Sequence, residues 1–277
     1  MRYGEHRLEN LSMTAFGEKS NKLRRCSALT ATPWFTGTPK PNPAIRLFMF
    51  PHAGGAASAF AHWTTLGGGG MEIRPVQYPG RETRLRERPP ESIGALADAI
   101  ACAVAVEEPG APYAFLGHSM GALVAFEVAR RLRELGLRGP VELFAAACAA
   151  PQTPRAPHVS TLSDERLADW LAGEDPATAE ALTHPELAAL VLPAVRADLT
   201  AVENYHLAPG PPLTCPITAL TGSEDSLHDA AVTGWREHTS GMFGHQEFPG
   251  GHFFLRPSAA ALFDFVQARL ALRRQIR

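Results

Sequence analysis

The spacing of apolar residues along this 277-residue chain changes near Ile45. Residues 1 to 43 are polar, end in TGTPKPNPA and show no sustained period, which predicts a disordered or loosely packed tail. From residue 44 onward, short apolar runs alternate with segments whose apolar positions recur every three or four residues. IRLFMFPHAGG, EIRPVQYPG, YAFLG, VELFAAACAA, PITALTG and HQEFPGG read as strands. Pro75 suits the second of them to an edge, or to an irregular strand. ESIGALADAIACAVAVE reads as a helix with Ile93, Leu96, Ala97, Ile100 and Val104 on one face. GALVAFEVARRLRELG reads as a helix ending at Gly136, and SAAALFDFVQARLALRRQ as the closing helix. Strands alternating with helices predict one α/β domain over 44–277, with a mostly parallel sheet covered on both faces. Residues 151 to about 208 break the alternation with helical patterns alone, so they are expected to form an insertion between two strands. No internal repeat is visible.

Composition narrows the class. The chain is 45% hydrophobic and 19% charged, enough apolar material for a sizeable core. A net charge of −2 gives no electrostatic case for nucleic acid or an anionic membrane. Cys26, Cys102, Cys148 and Cys215 are far apart and form no Cys-x-x-Cys pair. That spacing argues against a zinc site and a disulfide framework, and fits a reducing cytoplasm. The longest apolar runs are too short to span a bilayer, and MRYGEHRLENLSM lacks the apolar core of a signal peptide.

The candidate chemistry centres on FLGHSMGAL, residues 115–123. Gly-x-Ser-x-Gly alone is a weak signal, and Ser119 could simply cap a helix. Its context is stronger. A strand ends at Gly117 and a helix begins after Ser119, the setting of a nucleophile elbow. A serine hydroxyl needs a base, and the order of this fold is serine, acid, histidine. PITALTG is followed by SEDSLHD, which offers Glu224, Asp225 and Asp229; HQEFPGG leads directly into His252. Singly, Asp225 could be a turn residue and His252 a surface histidine. Together they read as a general base, His252, oriented by Asp225. Two backbone N–H groups must then receive the oxyanion: Met120, after the serine, and Ala53, in the PHAGGA loop after the first strand. His118 reads as a packing residue rather than a second base. The apolar residues Leu167, Trp170, Leu171, Leu187, Leu190, Val191 and Leu199 suggest that the insertion covers the sheet end above Ser119; packing as a separate small core is the alternative.

FPHAGGAASAF, VQYPGRETR, LGHSMGALVAFEVAR and FPGGHFFL resemble the type II thioesterases of polyketide and nonribosomal peptide synthesis, from about Trp34 to Leu255. LPAVRADLTAVENY resembles the family's lid segment. The resemblance implies an α/β-hydrolase fold and hydrolysis of acyl thioesters from the phosphopantetheine arm of acyl or peptidyl carrier proteins, an editing role. It also implies Ser119, Asp225 and His252 as the triad, with Ala53 and Met120 as the oxyanion donors. The acid loop departs from the pattern, because many members carry Asp-Pro where this chain has SEDSLHD, so Glu224 stays open beside Asp225. No metal or organic cofactor is expected, since phosphopantetheine belongs to the partner, and a monomer is expected. Rival readings are a general acyl-thioesterase, carboxylesterase or acyltransferase of the same fold, a type I thioesterase domain, and an inactive fold that binds acyl chains or partners.

Overall fold

The computed structural model describes residues 34–37, 39–66, 70–107, 110–155, 158–174, 182–227 and 229–275. Six strands form one parallel sheet: β1 (Ile45–Phe50), β2 (Met71–Pro75), β3 (Tyr113–His118), β4 (Leu143–Ala146), β5 (Ile217–Gly222) and β6 (Phe243–Phe248). Their spatial order is β2-β1-β3-β4-β5-β6. The helices are α1 (Ala61–Leu66), α2 (Ile93–Glu107), α3 (Met120–Glu134), α4 (Asp164–Glu174), α5 (Pro185–Glu203), α6 (Asp229–Thr233) and α7 (Ala259–Gln275). This is the α/β-hydrolase fold.

The period of two along each strand divides the core. Phe48, Phe50, Tyr113, Phe115, Leu143 and Ala145 face α2 and α3, in one cluster with Ile100 and Leu123. Leu47, Met49, Ala114, Leu116 and Phe144 face the other way, in a cluster with Trp63 of α1 and Leu262 and Val266 of α7. Alternate residues point to opposite faces of a sheet, so an unbroken apolar run such as Leu47–Phe50 requires helices on both sides. β2, with Pro75, is an edge strand, as its sequence suggests. β6 is the other edge and is largely exposed at His245–Glu247.

The expected face of α2 is buried at all five positions, and Ser92 caps the helix by accepting a hydrogen bond from the Ala95 N–H at 3.1 Å. α3 stops where Gly136 turns to φ +66°. The Leu137 N–H then bonds the Leu132 carbonyl and the Gly136 N–H bonds the Arg133 carbonyl, closing a Schellman motif.

One expectation needs correction. The stretch before residue 44 is not loose throughout. Trp34 and Phe35 are buried, Phe35 bridges Val76, and the Arg84 guanidinium lies 3.9 Å from the centre of the Trp34 ring. Two adjacent aromatics are too short a run to produce a periodic signal, yet each buries a large apolar surface. Residues 1–33 lie outside the described residues. Cys148 and Cys215 carry free thiols.

The insertion carries α4 and α5. Leu167, Leu171, Leu192 and Val195 build a small core of their own, with Val191 and Leu199 packed against it. Trp170, Leu187 and Leu190 are exposed and lie outside this small core.

Candidate active site

Ser119 sits between β3 and α3 with φ +54° and ψ −119°. A non-glycine residue in that region stores roughly 1–3 kcal/mol of backbone strain. The neighbouring glycines make the turn possible. A Cβ on Gly117 would lie 2.3 Å from the Gly121 carbonyl oxygen, and one on Gly121 would lie 2.1 Å from the Phe50 carbonyl oxygen. Both contacts are with backbone, which cannot give way. The Ser119 N–H bonds the Ala146 carbonyl at 2.8 Å, tying the turn to β4. The side chain stays partly accessible at the N-terminus of a fifteen-residue helix, where partial positive charge favours an anion.

The acid and the histidine meet. Asp225 Oδ2 and His252 Nδ1 are 3.2 Å apart, with the Asp225 side chain 3% exposed and that of His252 25% exposed. Their loops are stitched together. The Ser223 N–H bonds the Phe248 carbonyl, and the Glu224 N–H bonds the Gly250 carbonyl. Gly222 lies so close that a Cβ there would be 2.3 Å from the Gly250 carbonyl oxygen. Glu224 itself is exposed, and Asp229 opens α6 at the surface. Of the three acids in this loop, Asp225 is the one that bonds His252.

His118 is buried and donates from Nε2 to the His252 carbonyl at 2.8 Å, so the serine turn and the histidine loop adjoin. Burial, then the nearby His52 and His252, hold its pKa well below the ordinary value of 6.5. A neutral, hydrogen-bonded ring among His52, His252 and Phe253 matches a packing role. It also sets a sign for stability. Below pH 6.5 the unfolded chain protonates this histidine and the native state does not, so stability falls as pH drops. The loss attributable to His118 approaches about 1.4 kcal/mol per pH unit. Urea unfolding at pH 5 and pH 7.5 should show a shallower pH dependence for His118→Asn than for the parent. Burial lowers the pKa of His62 and His238 as well, so the comparison with the variant isolates His118.

The loop after β1 is a tight turn. The Gly55 N–H bonds the His52 carbonyl at 2.9 Å, and Gly54 has φ +77°. The Gly54 N–H bonds Asp198 Oδ2 at 2.8 Å. The amides of Gly54 and Gly55 are therefore taken, while that of Ala53 has no acceptor among the described hydrogen bonds. Met120 is the first residue of α3, and its N–H has no acceptor within the helix.

Sequence reasoning assigned no role to the groups that brace this loop. Gln77 Oε1 accepts from the Ala57 N–H, and the Tyr78 hydroxyl donates to the Pro51 carbonyl. Arg81 donates to the Gly55 carbonyl at 3.0 Å and to both oxygens of Asp198, at 2.6 and 3.0 Å. One signal was present: Asp198 falls at helical spacing from Leu192 and Val195, a charge on a buried stripe.

A strand-end serine in a strained turn before a helix, with a buried acid and a histidine after two later strands, defines an α/β-hydrolase, and the chain belongs to the thioesterase family, whose thioesterase domain matches residues 45–270. It is a hydrolase acting on thioesters. The gramicidin S biosynthesis protein GrsT of Aneurinibacillus migulanus is 36% identical over 250 residues, 88% of this chain and 96% of that protein. Among solved structures, the type II thioesterase BorB from the borrelidin biosynthetic cluster is 36% identical with a TM-score of 0.78, over 86% of this chain and 97% of BorB. RedJ, a thioesterase from the prodiginine pathway of Streptomyces coelicolor, is 38% identical with a TM-score of 0.78, over 86% of this chain and 94% of RedJ.

Proposed function

We propose that this thioesterase removes aberrant or stalled acyl groups from the phosphopantetheine arms of carrier proteins in polyketide or nonribosomal peptide synthesis. It acts as a cytoplasmic monomer and needs no metal or organic cofactor of its own. The observation that carries the reading is the Asp225–His252 contact beside the strained Ser119 turn, in a chain similar to type II thioesterases over most of its length.

In this mechanism His252 takes the Ser119 proton as Oγ attacks the thioester carbonyl. Asp225 fixes the imidazole tautomer and stabilises the imidazolium. The N–H groups of Ala53 and Met120 receive the oxyanion. The carbon–sulfur bond breaks, and the phosphopantetheine sulfur leaves as a thiolate that takes a proton from the imidazolium or from water. Water then attacks the acyl-enzyme, with His252 accepting its proton, and the acid is released as Ser119 regains its hydrogen.

Contact with a carrier protein would supply binding energy remote from the reacting carbonyl, and such energy can be expressed in rate as well as affinity. The test is kcat/KM for one acyl group presented on a carrier protein, on coenzyme A and on N-acetylcysteamine. The carrier-bound form is expected to give the highest value by at least about tenfold. Equal values on all three would replace the editing role with that of a general acyl-thioesterase.

A further inference from the structure

A buried, bidentate ion pair between the insertion and the body of the domain ends on the loop that carries Ala53. Asp198 is fully buried on α5, and Arg81, following β2, is nearly so. The guanidinium grips both carboxylate oxygens, at 2.6 and 3.0 Å, and a third bond runs from Arg81 to the Gly55 carbonyl. The same carboxylate accepts the Gly54 N–H at 2.8 Å. One turn earlier on α5, Val195 packs so tightly on Gly54 that a Cβ there would be 2.4 Å from Val195 Cγ2.

These contacts fix the Ala53 amide from both sides. The His52–Ala53 peptide carries the Ala53 N–H, and its carbonyl is held by the Gly55 N–H. The Ala53–Gly54 peptide is held through its N–H by Asp198. In a tight turn with positive φ at the third residue, the central peptide is the unit that flips most easily, because flipping exchanges two allowed turn types. Asp198 favours one orientation by accepting its N–H; in the flipped orientation a carbonyl would face the carboxylate. Arg81 adds a second effect. A bare carboxylate this near the oxyanion donors would oppose a developing negative charge, and the bidentate guanidinium balances it.

We infer that Arg81 and Asp198 are positioning residues for hydrolysis: through the Gly54 amide they hold the Ala53 N–H where the oxyanion forms, so that the lid helix sets the geometry of the oxyanion loop. The inference rests on the assignment of Ala53 as an oxyanion donor under the proposed function.

The test uses the full chain and an acyl-N-acetylcysteamine thioester, so that carrier recognition does not enter. Asp198→Ala is expected to lower kcat about 100-fold with KM within about threefold, close to the loss of an oxyanion donor. Asp198→Asn keeps a side-chain oxygen for the Gly54 N–H and is expected to recover about tenfold of that loss. Arg81→Met combined with Asp198→Leu replaces the buried pair with apolar groups of similar size, an exchange often tolerated in stability. This double variant is expected to melt near the parent yet stay at least about 30-fold down in kcat. A folded double variant with parental kcat would overturn the inference and leave the pair as a fastener of the lid. Equal losses for Asp198→Ala and Asp198→Asn would overturn it as well, and this comparison decides the matter if the double variant does not fold. Ser119→Ala is assayed in parallel. If that variant is inactive while the Asp198 variants are unaffected, only the positioning role fails; if it is active, the proposed mechanism itself fails.

Discussion

Ser119→Ala is expected to reduce thioester hydrolysis by at least about 10³-fold while leaving the melting temperature nearly unchanged. The reduction follows from chemistry, because in the proposed mechanism the Ser119 hydroxyl forms the acyl-enzyme and alanine has none to offer. Cys148 is a free thiol, but it is buried, and burial raises its pKa and keeps it protonated. The unchanged stability follows from the backbone. Alanine must adopt the same φ of +54° that serine does, so the strain in the turn is neither relieved nor increased. The serine side chain also makes no capping hydrogen bond to the helix that its loss would remove. Steady-state rates and a melting curve on the purified variant decide the point, and near-parental turnover would sink the acyl-enzyme mechanism.

Asp225→Asn is expected to lose about 10³–10⁴-fold in kcat. An asparagine can present its NH2 group to Nδ1, which favours the tautomer whose Nε2 already bears a proton and cannot take one from Ser119. Glu224→Gln is expected to stay within about threefold of the parent, since its exposed side chain makes no described contact with His252. Measuring both variants on the same thioester discriminates between the two acids. If Glu224→Gln is the inactive one, the acid is misassigned by one residue.

Much of this was legible along the chain, for reasons that can be named. The strands are continuous apolar runs because helices cover both faces of the sheet, and that pattern survives without tertiary information. The glycines around Ser119 are readable because a strand–turn–helix junction admits nothing larger. The acid and the histidine are readable because each directly follows a strand, and parallel strands deliver their ends to one edge of the sheet. The choice between Glu224 and Asp225 was not readable. Adjacent residues differ only in which way the loop turns them, and that is set by bonds from Ser223 and Glu224 to the histidine loop. Arg81 and Asp198 meet across 117 positions; the buried stripe of α5 marks Asp198 locally, but Arg81 looks like an ordinary surface charge and nothing along the chain pairs the two. Trp170, Leu187 and Leu190 were expected to cover something, but α4 and α5 use Leu167, Leu171, Leu192 and Val195 for their shared core and turn those three outward.

The insertion leaves the sheet after β4 and returns before β5, so it resembles a cassette that protein engineers might exchange to change acyl preference. The pairing of Asp198 with Arg81 limits that freedom. A transplanted segment without an acid at the matching turn of its helix would strand a guanidinium that is 6% exposed. Breaking a buried pair in this way typically costs about 3–5 kcal/mol, comparable to the whole stability of a marginal domain. Chimeras should therefore be screened first for the acid, or built with Arg81 replaced in the same step, before any change in their substrate range is attributed to the shape of the new insertion.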